Sequence, residues 1–128
     1  MSVRIKSLRS FKGLIDYWSV PHFLLGMLVA LSVRVFGLPT IPFFIATLGI
    51  AILWEYFEMF LHIRELKLNV LSDTIVPLLA YVFTLWLTDH AMRPEQQAAL
   101  LITTIIFYVL VSSAAWQARL SRDPDFLN

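Results

Sequence analysis

Four long apolar stretches constrain this chain more than any other feature. A membrane-crossing helix needs about 20 mostly apolar residues, within about 17–25. The segments from about Tyr17 to Phe36, Ile41 to Phe60, Val70 to Leu87 and Ala98 to Ala118 all meet that requirement. The last carries no charge, and the first is interrupted only by His22 and Arg34. With 128 residues, 59% hydrophobic and only 15% charged, the chain falls well short of the roughly 25% charge of a soluble domain. Its mean hydropathy is +0.74. Length argues for one domain. Too little polar surface exists to cover such a domain in water, so its solvent is the lipid bilayer. Backbone polar groups in lipid must be satisfied internally. Four helices achieve this where a closed barrel of so few segments would not. The expected fold is an all-α, polytopic four-transmembrane-helix bundle.

The punctuation agrees with these spans. Gly37, Pro39 and Pro42 close one helix and open the next, with Thr40 as its N-cap. That tight hairpin makes the first two helices antiparallel neighbours. Ser19 is read as the cap of the first helix with Pro21 in its first turn, and Ser72 or Asp73 as the cap of the third, which places Pro77 early enough to be harmless. Pro94 stands just before the fourth span. The domain layout is then a basic N-terminal segment (1–15), a transmembrane domain (16–118) and a C-terminal tail (119–128). Met1 to Lys12 lacks a small-residue cleavage pattern after the first apolar run and is not read as a cleavable signal peptide.

Orientation follows from the basic residues. Arg4, Lys6, Arg9, Lys12, Arg64, Lys67, Arg119 and Arg122 fall on one side, and Arg34 and Arg93 on the other. Eight against two places both termini in the cytoplasm, most naturally of a bacterial inner membrane. Trp18, Trp54 and Trp116 fall at that interface and Trp86 at the opposite one.

Several function classes drop out. There is no cysteine, which removes disulfides, thiol catalysis and Cys-ligated metals. A net charge of +1 offers no basic excess for nucleic acid. No serine-nucleophile motif, Gly-rich phosphate loop or internal repeat is present, and Gly26 and Gly49 read as close-packing positions.

What remains is a set of ionisable groups at one membrane face. Glu55, Glu58, His62 and Glu65 follow one another at spacings of three, four and three. At about 100° per residue they share an arc of about 80° on one helix face. An acid deep in a membrane helix costs about 2.5–3.5 kcal/mol if uncompensated. Such a stripe therefore points to a partner, to water or to a metal. The topology gathers Asp16 and His22, Glu55 and Glu58, and Asn69 and Asp73 at the same end of the first three spans. His22, Glu55, Glu58 and Asp73 form a candidate ligand set of imidazole and hard oxygen suited to Zn²⁺, Mn²⁺ or Fe²⁺. Glu55 and Glu58 are the candidate general bases, and Asp16, His62 and Asn69 the supporting groups. Plainer readings stand beside this one. His62 and Glu65 suit a solvated helix end, Glu55 and Glu58 a pairing with Arg64 or His22, His22 a hydrogen-bonded lone histidine, and Asp73 a cap. No HExxH or ExxH pair is present.

The order of these residues resembles a known group. Asp16, His22 and Phe23 open the first span; Trp54, Glu55 and Glu58 end the second; Asn69 and Asp73 open the third. The pattern is similar, over roughly residues 16–90, to the VanZ-like and YjdF-like families of small bacterial membrane proteins. That resemblance implies four or five helices with an acidic/His cluster near one membrane face and a link to cell-envelope phenotypes. His22, Glu55, Glu58 and Asp73 match the family's polar positions. The chain departs from the VanZ-like pattern after Asp73, where Thr74, Ile75, Val76 and Pro77 follow without a glycine.

Three functions are compatible with these features. The first is a membrane-embedded metal-binding protein or enzyme acting on a lipid or cell-envelope component. The second is an accessory subunit, as a homo-oligomer or within a larger membrane complex, packed through aromatics such as Phe43, Phe44, Phe57, Phe60, Phe83 and Trp86. The third is an ion or proton path.

Overall fold

A computed structural model of the chain describes residues 18–61 and 67–122. The regular structure there is entirely α-helical: α1 (Ser19–Phe36), α2 (Thr40–Phe60), α3 (Lys67–Ala91) and α4 (Pro94–Arg122). Each is long and apolar enough to cross a membrane. The 18 residues of α1 span about 27 Å at a 1.5 Å rise per residue, close to the hydrocarbon thickness of about 30 Å. The chain is an all-α four-helix bundle built as an integral membrane protein.

The α1–α2 hairpin turns where the residue types require it. Gly37 takes the left-handed conformation at φ 64°, which a Cβ would oppose. The Leu38 N–H then closes the turn onto the Val33 carbonyl at 2.9 Å. Thr40 and Ser19 are not the caps: Pro39 and Trp18 hold those positions without a side-chain bond, and Thr40 and Ser19 are the first helical residues.

Helix α3 differs more from expectation. It begins at Lys67 and runs to Ala91, so Asp73 is its seventh residue, not its cap, and Pro77 lies well inside. An apolar window marks the lipid crossing, whereas a helix goes on as long as its backbone groups gain partners. Asp89 and His90 lie in the last turn of α3, beyond the third apolar stretch, which ends near Leu87. Likewise α4 starts at Pro94, where a first-turn proline fits, and continues through Arg122 past the apolar stretch.

Helix α1 is the centre of the bundle, packed on α3 and α4 and more lightly on α2; α3 also packs on α2. At the α1–α3 crossing a Cβ on Gly26 would lie 2.0 Å from the Pro77 carbonyl oxygen. Gly49, by contrast, has open space beside it. Ala30, Val33 and Tyr81 form the inner cluster, against which Phe43 and Phe44 pack. The Tyr81 hydroxyl donates to the Thr40 carbonyl at 2.7 Å, and Arg34 pairs with Asp89 at 2.5 Å at the same end. Buried groups include Thr47, Asp73, Thr84 and Thr88, while Ile41, Leu53 and Phe60 are broadly exposed. Polar groups inside and large apolar ones outside are the inversion that a lipid solvent imposes.

Candidate metal centre

The end of the bundle opposite the Arg34–Asp89 pair gathers the ionisable residues. His22 lies one turn into α1, Glu55 in the last third of α2, and Asp73 in the second turn of α3. Three separate helices therefore supply one group each. One ligand atom from each of His22, Glu55 and Asp73 lies within 4.8 Å of the other two. The exposures are 5% for His22, 8% for Glu55 and 0% for Asp73, so the cluster is interior.

Local structure sets the chemistry of each member. His22 Nδ1 is 2.5 Å from the Trp18 carbonyl oxygen. A carbonyl only accepts, so Nδ1 carries a hydrogen, and Nε2 is the nitrogen that would serve as a ligand in the neutral ring. A backbone carbonyl on the far ring nitrogen is the usual way a metal-binding histidine is oriented. Asp73 accepts from the Asn69 side-chain amide at 3.2 Å, one helical turn earlier. That amide holds one carboxylate oxygen in place. Pro77, four residues on, has no N–H for the Asp73 backbone carbonyl. Its own carbonyl instead faces Gly26, and this close approach brings the α1 and α3 backbones together one turn from His22.

An imidazole nitrogen with two carboxylates is a donor set that fits Zn²⁺, Mn²⁺ or Fe²⁺. Three protein ligands also leave coordination positions for water or a ligand, as in catalytic sites. Glu58, one turn beyond Glu55, is buried at 3% exposure but stands outside the group of three. Asn69 supports the site through Asp73. Asp16, His62 and Glu65 lie outside the described residues, so half of the acidic stripe does too.

The aromatic residues expected to mark an interface form a packed cluster. Trp18, Trp54 and Trp116 contact one another with ring centroids 5.1–6.2 Å apart, and His22 meets Trp54 edge-on at 6.2 Å. Beside them lies a mainly apolar cavity of about 140 Å³, lined by Pro21 and Leu25 together with Trp18, His22, Trp54, Tyr108, Ser112 and Trp116. The Arg119 guanidinium sits 5.1 Å above the Trp18 ring. The fourth span carries no charge and so gave no sign of this contact. The available signal was Tyr108, Ser112 and Trp116 at spacings of four, which share one face of α4.

Fold and site together define a polytopic membrane protein with an imidazole–carboxylate cluster inside its helix bundle. Comparison with known proteins returns no match: no family model fits the chain, and no curated protein or solved structure is significantly similar.

Proposed function

We propose that the chain is an intramembrane divalent-metal protein acting on a lipid or cell-envelope component at the cytoplasmic face of a bacterial inner membrane. The observation carrying this reading is the convergence of His22, Glu55 and Asp73 from three helices within 4.8 Å. Two ionised carboxylates at that distance would repel by about 3.5 kcal/mol at an effective dielectric of about 20, on top of the insertion cost of each. A divalent cation would relieve both terms. His22, Glu55 and Asp73 are the ligands in this reading, and Asn69 fixes the Asp73 carboxylate. Glu58, buried one turn away, is the group assigned to take up or deliver a proton. A bound divalent ion supplies Lewis acidity and an acidified water there. The excess of basic residues at the cluster end supports the cytoplasmic placement. The motif resemblance to the VanZ-like and YjdF-like proteins supports the cell-envelope role.

Elemental analysis of purified protein in detergent micelles tests the metal. About one Zn, Mn or Fe per chain is expected. The variants His22→Ala, Glu55→Gln and Asp73→Asn should each lose it while keeping their helical circular dichroism. Removing membrane acids does not burden insertion, so the two amide variants remain informative if the alanine variant misfolds. Wild-type protein that takes up none of the three metals, or variants that all retain a full complement, would overturn the proposal.

A further inference from the structure

The cavity beside the cluster is a groove along the axis of the bundle. Helix α1 and its cap wall it with Trp18, Pro21, His22 and Leu25, which share one helix face. On α4 the wall is Tyr108, Ser112 and Trp116, at successive spacings of four. Trp18 and Trp116 meet at one end, and Leu25 and Tyr108 lie seven and eight residues further in. At 1.5 Å per residue the groove reaches about 10–12 Å into the bundle. Trp54 of α2 completes the lining. Helices α2 and α4 both rest on α1 but do not pack along one another, so the groove opens sideways between them. Leu25, Trp54, Tyr108, Ser112 and Trp116 are only partly buried, in keeping with an open groove and not a sealed void.

Size and lining select the occupant. The space is about 140 Å³ and mainly apolar. The Trp54 indole N–H and the Ser112 hydroxyl are sealed from it, so these residues present ring and carbon surface. An apolar cavity of about 150 Å³ stays dry and admits benzene, so this one takes roughly six carbons. A charged or solvated headgroup would lose its water here without recovering the hydrogen bonds. The bilayer supplies an occupant of the right chemistry and direction. Its acyl chains lie alongside the helices, where Phe57 and Ile105, one turn from Trp54 and Tyr108, are exposed. Lipid tails are as apolar as leucine, so no hydrophobic gain drives the seating. The gain is the dispersion contact that an empty groove forgoes.

We propose that this groove seats one acyl chain of a bilayer lipid, entering between α2 and α4, and so holds that lipid beside the cluster. His22 stands on the groove wall and is also one of the three converging ligands. A groove of this volume grips one chain, not two, and reads the chain and not the headgroup. For its functional meaning the proposal rests on the lipid part of the function proposed above. The seating itself does not need the metal.

The test uses full-length Trp86→Phe protein in digitonin micelles, whose steroid detergent carries no alkyl tail. Trp86 stands at the opposite end of the bundle, so emission then comes from the three tryptophans of the groove. The quenchers are a lysophosphatidylcholine and a monoacylglycerol, both carrying a 9,10-dibromostearoyl chain. Each should quench saturably at about one per protein, with half-saturation within about three-fold of the other. Unbrominated stearoyl lysophosphatidylcholine should reverse the quenching, and glycerophosphocholine, which has the head without the chain, should not. Leu25→Phe fills the inner end and should raise the half-saturating concentration at least about three-fold, in line with the volume it removes. Leu25→Ala should not raise it. If Leu25→Phe loses its helical circular dichroism, the competition with the unbrominated lipid decides. Quenching that never saturates, that follows the headgroup, or that is unchanged in folded Leu25→Phe overturns the proposal. So does a dimer that admits neither quencher, which assigns the groove to a second copy. Repeating the titration beside elemental analysis separates the two readings. Chain binding by protein that takes up no metal overturns the metal reading alone, and metal uptake without chain binding overturns this proposal alone.

Discussion

Gly26 and Pro77 meet backbone to backbone: a Cβ built on Gly26 would stand 2.0 Å from the Pro77 carbonyl oxygen and 2.9 Å from its Cα. Both are rigid parts of long helices, so neither side can yield by turning a side chain. This contact sets the α1–α3 separation one turn from His22 and Asp73, and it is the reason those two groups share a site. The bundle lacks a hydrophobic driving force between its helices, because lipid tails are as apolar as leucine. Close approach at small residues supplies the packing instead.

Gly26→Ala should lower the thermal unfolding midpoint in micelles, with a loss of about 1–3 kcal/mol from overpacking. It should also weaken metal binding, since α1 and α3 are pushed apart. Gly49→Ala is the matched control. With nothing within 4 Å of the new Cβ and a helix gain of up to about 1 kcal/mol, it should leave stability unchanged or raised.

Asn69→Ala should leave the fold intact and reduce metal affinity by about 10–100-fold, the usual effect of removing a group that orients a ligand. Competition titration with a chelator of known affinity measures it. An unchanged affinity would show that the 3.2 Å bond from Asn69 to Asp73 does not orient the carboxylate.

The pair Arg34–Asp89 should contribute little. Its side chains are 29% and 49% exposed, and exposed ion pairs are worth about 0.2–1 kcal/mol. A double-mutant cycle with Arg34→Gln and Asp89→Asn should give a coupling below about 1 kcal/mol, with no effect on metal content at the far end.

Tyr81→Phe removes the bond from the Tyr81 hydroxyl to the Thr40 carbonyl at 2.7 Å while keeping the ring against Phe44. The expected loss is about 0.5–1.5 kcal/mol, read as a lower unfolding midpoint with an unchanged cluster.

The helices were legible because lipid crossing leaves a local signature. The four apolar stretches, Gly37 and Pro94 marked the bundle correctly. Helix ends were less legible: Ser19 and Thr40 lie one position inside the caps at Trp18 and Pro39, and the cap reading at Ser72 or Asp73 failed because α3 already includes Lys67, outside the apolar window that identifies it. For the site, spacing and topology placed His22, Glu55 and Asp73 at one end of the bundle. The part played by α4 was missed because Tyr108, Ser112 and Trp116 carry no formal charge and acquire meaning only beside His22 and Trp54.

Sequence alone determined the solvent, the number of crossings and the residues too polar to face lipid, since each of these depends on short-range pattern and transfer energy. Tertiary structure decided which of those polar residues share a site. His22, Glu55 and Asp73 bring ligand atoms within 4.8 Å of one another, because the rotation and depth of each helix are set by contacts such as Gly26 on Pro77, between residues distant in the chain.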